Sequence, residues 1–311
     1  MKCLRPAMQW MRRSNLSPAH AAGLGALMIA LLAAPFSLAL AALPLALFVG
    51  LCFTAPFLPG IGFFLEVVSR GRPEKQGVAL TFDDGPDPVS TPALLELLAR
   101  YNVQATFYVT GRRAEQYPQL IRRIVSRGHT IGNHSYTHDN FIMFQSTGAL
   151  QAEIEKTQEV LHGQGVFPHT FRPPVGVTNP KLGRVLQQLE MYVVNFSRRA
   201  GDRGNRRIAH LSKTILKNVR AGDIIMLHDI APRNNNTVES WLRQVERILA
   251  GIRARGLKIL PLASLIDRAV MSEPAPQSGD PDPVSGDISF EGRKSRSPIL
   301  RTDAVNRGSS R

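Results

Sequence analysis

Gly77-Val78-Ala79-Leu80-Thr81-Phe82-Asp83-Asp84-Gly85-Pro86-Asp87-Pro88 is the stretch on which the fold turns. Residues 77–82 read as a short β-rich run, after which Gly85 and Pro86 bend the chain sharply. Two carboxylates are thereby delivered to the carboxyl edge of a strand, where parallel sheets carry their catalytic groups. Adjacent acids there repel unless a cation or proton compensates, which suits a metal ligand beside a general base. An Asx-rich turn would account for the same residues without any chemistry.

Outward from this strand the chain alternates between brief β-rich runs and helical periods across residues 66–271. Seven strands are expected: Gly77 to Phe82, Gln104 to Val109, His129 to Gly132, His169 to Arg172, Met191 to Phe196, Asp223 to Leu227 and Leu257 to Leu260. Helix starts are marked by Ser90 and Thr91 before Pro92, by Pro118, and by Asn179 before Pro180, and Gly128 closes one helix. Strict alternation predicts a parallel α/β architecture, either an open doubly wound sheet or a closed barrel. No G-x-G-x-x-G follows the first strand, so nothing supports a dinucleotide fold.

Three further segments close on strand ends. His134-Ser135-Tyr136-Thr137-His138 places two imidazoles four apart, which on a helical turn would point the same way. With a carboxylate from the first strand they make a three-ligand metal set that leaves positions open for water and substrate. Phe171-Arg172-Pro173-Pro174-Val175-Gly176 and Ile224-Ile225-Met226-Leu227-His228-Asp229 follow. Taken singly, the arginine could pair with a surface acid and the histidine could be structural. In an alternating fold all four segments meet on one edge.

The N-terminal region has a different solvent. From Ala21 through Phe64 there is no Asp, Glu, Lys, Arg or His, a run of 44 residues. One bilayer crossing needs only ~20 apolar residues. Residues 21–65 therefore read as a retained transmembrane segment, divided at Pro35 to Pro44 into a helix near Ala22 to Leu38 and another near Leu45 to Phe64. Residues 1–20 form a basic tail with Lys2, Arg5, Arg12 and Arg13, which the positive-inside rule places in the cytoplasm. A two-helix hairpin would return the rest of the chain to that side of a bacterial-type inner membrane, whereas one span would place it outside. The segment 272–311, rich in Pro, Gly, Ser and Asp, is expected to be disordered.

Of the net charge of +14, the basic tail holds +4, and the balance of +10 lies in the globular part. Such a field attracts phosphate head groups or anionic glycans. No nucleic-acid recognition motif accompanies it, and no nucleic acid is expected. Cys3 and Cys52 stand before and inside the apolar run, so metal chemistry falls to His and carboxylate.

In this order TFDDGP, HSYTH, RPPVG and IIMLHD resemble the motifs of the polysaccharide deacetylase family, carbohydrate esterase family four or NodB homology domain, over roughly residues 76–268. The resemblance implies a distorted (β/α)7 barrel and a hydrolase that removes N- or O-acyl groups from sugars with zinc or another divalent ion. It implies that Asp84, His134 and His138 hold the metal, that Asp83 is the general base and that His228 is the general acid. Arg172 would orient Asp83, the backbone near Val175 would help stabilise the oxyanion, and Met226 with Leu227 would wall the acyl pocket.

Two departures bear on the substrate. Val175 stands where many relatives have Tyr, and Asn195 to Asp202 replaces a Trp-containing motif, with Asp202 the candidate to orient His228. The lost aromatic surfaces, the membrane segment and a cluster of Arg198, Arg199, Arg203, Arg206 and Arg207 together suggest a lipid-phosphate-linked sugar, gripped by Arg198 and Arg199. A solvated basic loop is the plainer account of that cluster. The functional alternative is a glycan-binding membrane protein on a degenerate deacetylase scaffold.

Overall fold

The computed structural model describes residues 17–233 and 236–272. The basic tail up to residue 16 and the tail expected to be disordered, from residue 273, lie outside the described residues. In chain order the strands are β1 (Val67–Val68), β2 (Gly77–Asp83), β3 (Thr106–Val109), β4 (Thr130–Asn133), β5 (Phe167–Pro168), β6 (Thr170–Phe171), β7 (Tyr192–Val194), β8 (Arg198–Arg199), β9 (Ile224–His228), β10 (Lys258–Ile259) and β11 (Met271–Ser272). The α-helices are α1 (Pro18–Ala33), α2 (Leu38–Thr54), α3 (Ser90–Arg100), α4 (Gly111–Gln116), α5 (Pro118–Ser126), α6 (Thr147–His162), α7 (Pro180–Gln188), α8 (Leu211–Lys217), α9 (Val238–Arg253) and α10 (Leu262–Ile266).

The main sheet runs β1-β7-β6-β4-β3-β2-β9-β8, every pairing parallel, with β10 beside the start of β2. β7 and β8 lie near opposite ends of that order, yet only Asn195–Ser197 separates them in the chain. The Asn195 amide donates to the Val68 carbonyl (2.9 Å) and the Ser197 amide to the Ile224 carbonyl (3.0 Å). The sheet therefore curls until one segment, residues 192–199, serves both sides. This is the distorted barrel expected, with the run Leu257 to Leu260 reduced to the two residues of β10.

Alternation along β2 divides the core. Val78, Leu80 and Phe82 face the helices and pack with Leu94, Leu98 and Trp241, while Ala79 faces the interior of the curl with Tyr108, Tyr192 and Met226. Each fully buried Leu or Phe contributes about 1.5–3 kcal/mol relative to exposure. The helix starts fall where the capping residues stand: Asn179 Oδ1 accepts from the Leu182 amide (2.8 Å) to open α7. Asp87 Oδ1 accepts from the amides of Val89 (3.0 Å) and Ser90 (3.1 Å) to open α3.

The apolar region departs from the expected division. α1 and α2 break at Ala34–Ser37, and Pro44 lies inside α2. Pro44 removes one amide donor from the helix without ending α2. The second helix stops at the turn Ala55–Phe57 rather than at Phe64, because Pro56, Pro59 and Gly60 cannot continue it. Leu38–Phe57 is the one helix among the described residues long and apolar enough to cross a membrane. The sixteen residues of α1 span ~24 Å against a hydrocarbon thickness of ~30 Å, so two crossings are not supported.

Candidate active site

β2 delivers Asp83 and Asp84 at its carboxyl end. Asp84 adopts a left-handed backbone (φ 71°), so its carboxylate does not follow the strand's alternation. Asp83 Oδ1 accepts from Arg172 Nη1 at 2.6 Å. The Arg172 side chain is fully buried and donates further to Thr81 Oγ1 (2.7 Å), the Val194 carbonyl (3.0 Å) and the Asn195 carbonyl (3.0 Å). Its guanidinium lies 3.9 Å from the Tyr108 ring centre. Gly132 admits that ring, since a Cβ there would stand 2.3 Å from it. Each guanidinium nitrogen thus has a protein partner, and Asp83 is held in one orientation.

His134 follows β4. Its Nδ1 lies 2.7 Å from the Arg172 carbonyl, which can only accept, so Nδ1 carries the proton and Nε2 the lone pair. That Nε2 is 3.4 Å from Asp84 Oδ1, and His138 Nε2 is 3.1 Å from the same oxygen. The imidazoles do converge, but not on a helical turn as expected. Residues 134–138 form a loop in which Ser135 (φ 61°) and His138 (φ 58°) reverse the backbone. Side chains, not i−4 carbonyls, take up its amides: Asn133 Oδ1 accepts from Ser135 (2.9 Å), and Glu153 Oε2 from Tyr136 (3.1 Å) and Thr137 (2.8 Å).

Ligand atoms of Asp84, His134 and His138 all lie within 4.8 Å of one another. Asp84 Oδ1 is buried and has no hydrogen-bond partner, an orphan that a cation would satisfy. Burial alone would raise the Asp84 carboxyl, but His134 beside it and the charges of His138 and His228 hold it far below the usual carboxylate range. Burial, with the neighbouring His134, lowers His138. An ionised Asp84, a His138 ring pushed toward its neutral form and a His134 Nε2 turned inward by the Nδ1 contact suit a divalent ion, so the residues present fit one.

On the other side of Asp84 stands His228, at the end of β9. Its Nδ1 lies 2.8 Å from Asp202 Oδ2 and its Nε2 4.0 Å from Asp84 Oδ2. Burial works against a charged ring, but the hydrogen bond and charge of Asp202, with the charges of Asp84 and Asp83, raise His228 to about 9. The loop bearing Asp202 is clamped to β9 by Asn205, whose side-chain amide donates to the carbonyls of His228 (3.0 Å) and Ile230 (2.8 Å).

The other expected residues divide. Met226 lies in the interior of the curl, but Leu227 belongs to the core between sheet and helices, so it does not wall an acyl pocket. Successive residues of a strand face opposite ways, and both could not have lined one site. Val175 sits on the turn Pro174–Gly176 with a left-handed backbone (φ 55°) and a half-exposed side chain. Arg198 is bound to the buried Asp223 (2.9 Å), which also pairs with Arg70 (2.6 Å) at the start of β9, away from His228. Arg199 is exposed and stands 5.7 Å from the Phe196 ring centre.

Sequence reasoning missed three supporting acids and amides. Glu153 and Asn133 shape the histidine loop, and neither carries a local signal. Asp229, fully buried next to His228, accepts from Ser90 Oγ (2.8 Å) and Thr91 Oγ1 (2.6 Å), and its amide donates to the Asp83 carbonyl (2.8 Å). Gly85 is required there, because a Cβ would meet Asp229 Oδ2 at 2.6 Å. Asp229 was legible as the last letter of IIMLHD, without a role.

Known proteins share this arrangement of chain. Residues 70–194 match the family described as polysaccharide deacetylase. The chain is 35% identical over 180 residues to a peptidoglycan-N-acetylglucosamine deacetylase of Listeria monocytogenes, covering 58% of this chain and 38% of that one. It thus spans about two fifths of that relative's length. It is 32% identical over 208 residues to a chitooligosaccharide deacetylase of Azorhizobium caulinodans, covering 64% of this chain and 98% of the relative. A solved peptidoglycan N-acetylglucosamine deacetylase superposes with a TM-score of 0.60 at 30% identity, covering 66% of this chain and 94% of that one. With its curled parallel sheet, and with the chitooligosaccharide deacetylase and the solved peptidoglycan deacetylase each matched along more than nine tenths of their length, the chain belongs to the polysaccharide deacetylase family.

Proposed function

We propose that this protein is a membrane-anchored, metal-dependent hydrolase that removes an N-acyl group, acetyl in the first instance, from an amino sugar of a glycan or lipid-linked saccharide. The observation that carries the reading is the cluster of Asp84, His134 and His138, with an orphaned carboxylate oxygen at its centre, set between the Asp83–Arg172 and His228–Asp202 pairs. Asp84, His134 and His138 would hold the divalent ion, zinc by our proposal. Such an ion supplies Lewis acidity, polarising the acyl oxygen and lowering the pKa of water.

The chain's own residues do the rest. Asp83, fixed by Arg172, takes a proton from the attacking water as its oxygen bonds to the acyl carbon. The carbon–nitrogen bond breaks only if the nitrogen leaves as an amine, and His228, charged at neutral pH and oriented by Asp202, holds the proton it needs. Carboxylate and free amine are the products. Met226 flanks the acyl group and the backbone at Val175 lies toward the oxyanion in this reading. In the phosphate reading of the substrate Arg199 carries the contact, since Arg198 is engaged by Asp223.

Metal content of the purified protein and acetate release from an N-acetylated chitooligosaccharide test the reading. Asp84→Ala, His134→Ala and His138→Ala should each lose metal and activity together, because three ligands leave no redundancy. Asp83→Asn and His228→Ala should keep metal and lose about 10²-fold or more in kcat. Full metal and wild-type turnover in any ligand variant would remove the proposed site.

A further inference from the structure

The segment that leaves the membrane-length helix runs directly onto the candidate active site. The Pro56 carbonyl accepts from the Thr178 amide (3.2 Å), and the Pro59 carbonyl accepts from the Asn195 side chain (3.0 Å), which also donates to Gly176 (3.2 Å). Residues 173–178 are the turn that follows Arg172. That turn leads into α7, whose first residues hold the loop after His138: Asn179 donates to the Met143 carbonyl (2.6 Å) and Lys181 to the Gln145 carbonyl (2.6 Å). A continuous chain of hydrogen bonds therefore joins the end of α2 to the turn after Arg172 and to the loop beyond the metal histidines.

Along this path large apolar side chains stand in the open. Phe57, Leu58 and Ile61 are 56%, 47% and 45% exposed, Val175 is 48%, and Phe141 and Phe144 are 70% and 68%. Water gives no reason to expose two phenylalanines within four residues beside a catalytic loop. A bilayer interface does, since apolar and aromatic groups partition there. The end of α2 sets the level: Ala19, Ala55 and Phe63 pack together and the Ala19 amide donates to the Phe63 carbonyl, so both apolar helices are tied at the end from which Phe57, Leu58 and Ile61 emerge.

We infer that the mouth of the site is seated in the bilayer interface by the rim Phe57, Leu58, Ile61, Val175, Phe141 and Phe144, and that it takes an N-acylated amino sugar carried on a membrane lipid rather than a free oligosaccharide. The inference rests on the deacetylase reading for its chemistry, but not for its geometry. A sugar held a few atoms from a lipid anchor lies at the depth of such a rim, and confinement to the same surface raises its effective concentration.

The full chain, with Cys3→Ser and Cys52→Ser and a single cysteine at Ile61→Cys, Phe144→Cys or Lys258→Cys, is labelled with a small fluorophore. Each form is placed in nanodiscs of phosphatidylethanolamine and phosphatidylglycerol. Lys258, beside Gly77 at the opposite end of β2, is the control. Lipids with a nitroxide on an early acyl carbon should quench the labels at 61 and 144 and leave that at 258 unaffected. The unlabelled wild type should turn over a vesicle-borne N-acetylglucosaminyl lipid with kcat/KM about tenfold or more above that for N-acetylchitotetraose. Equal quenching at all three positions overturns the seating, and equal or better turnover of the free oligosaccharide overturns the substrate class. Selective quenching without turnover of either sugar would leave the seating standing and defeat the deacetylase reading.

Discussion

Asp202 holds Nδ1 of His228 at 2.8 Å from a loop twenty-six residues earlier in the chain, and this contact decides the charge on the ring. Asp202 is itself kept ionised: burial pushes its carboxyl up, but the His228 hydrogen bond and charge and the Asn205 amide pull it below the ordinary range. Asp202→Asn should move the alkaline limb of the kcat profile to lower pH, because a ring raised to about 9 loses its chief support. Turnover at neutral pH should fall with metal content unchanged. A limb that stays in place while kcat falls would give the loop, rather than the charge, as the cause.

The same pair has a stability signature. The ordinary imidazole value is 6.5 and the folded value about 9, so the stabilisation is complete below pH 6.5 and is lost as pH rises towards 9. Asp202→Asn should therefore cost most below pH 6.5 and progressively less above it, as read by denaturant midpoints in detergent.

Arg172→Lys tests whether orientation or charge matters to Asp83. Lysine keeps one charge but cannot serve Asp83, Thr81 and two carbonyls from one plane. We expect kcat to fall about 10²-fold or more, and stability to fall by roughly 3 kcal/mol as a buried polar network is broken. An active and equally stable lysine variant would show that Asp83 is positioned by other groups.

Glu153→Ala should weaken metal binding by about 10- to 100-fold through the loop it holds, without touching a ligand. The Glu153 carboxylate receives the amides of Tyr136 and Thr137 and the Thr137 hydroxyl. Competition with a chelator gives the affinity, and Glu153→Gln, which keeps an acceptor, should recover part of it. Unchanged affinity in Glu153→Ala would mean that the reversed backbone at Ser135 and His138 is self-supporting.

These residues show what a sequence discloses. The convergence of Asp83, Asp84, His134, His138 and His228 was legible because each stands at or beyond a strand end, and parallel topology gathers such ends. Leu227 was not, because β9 is an unbroken apolar run, buried on both faces, with no alternation to say which face is which. Arg198 read as a phosphate ligand because its neighbours are basic, yet its partner Asp223 stands just before β9, the strand across the closure of the sheet. Glu153 was invisible for the same reason: its contact spans seventeen residues and depends on a backbone reversal at two non-glycine positions. The break between α1 and α2 falls at Pro35, one end of the interval in which the division was expected, while Pro44, the other end, lies inside α2.

Asp229 gives the last test, and its sign is opposite to that of most carboxylates. Burial pushes it up to about 7, against the donated hydroxyls of Thr91 and Ser90, with Asp87 adding and Arg113 subtracting. An unfolded chain releases this proton near pH 3.8, whereas the folded chain keeps it until about 7. Between those values the native state binds more protons, so stability falls as pH rises, at up to about 1.4 kcal/mol per pH unit, and levels off above 7. Asparagine matches the protonated acid in shape and in offering one acceptor and a donor, and it does not titrate. Asp229→Asn should therefore resemble the wild type near pH 4.5 and gain on it steadily to pH 7, by a few kcal/mol at most. Melting midpoints of the two proteins, measured in the same detergent at each pH, give the difference directly. A difference that stays constant across that range would mean that Asp229 is already ionised in the folded protein, with Ser90 and Thr91 supporting its charge in full.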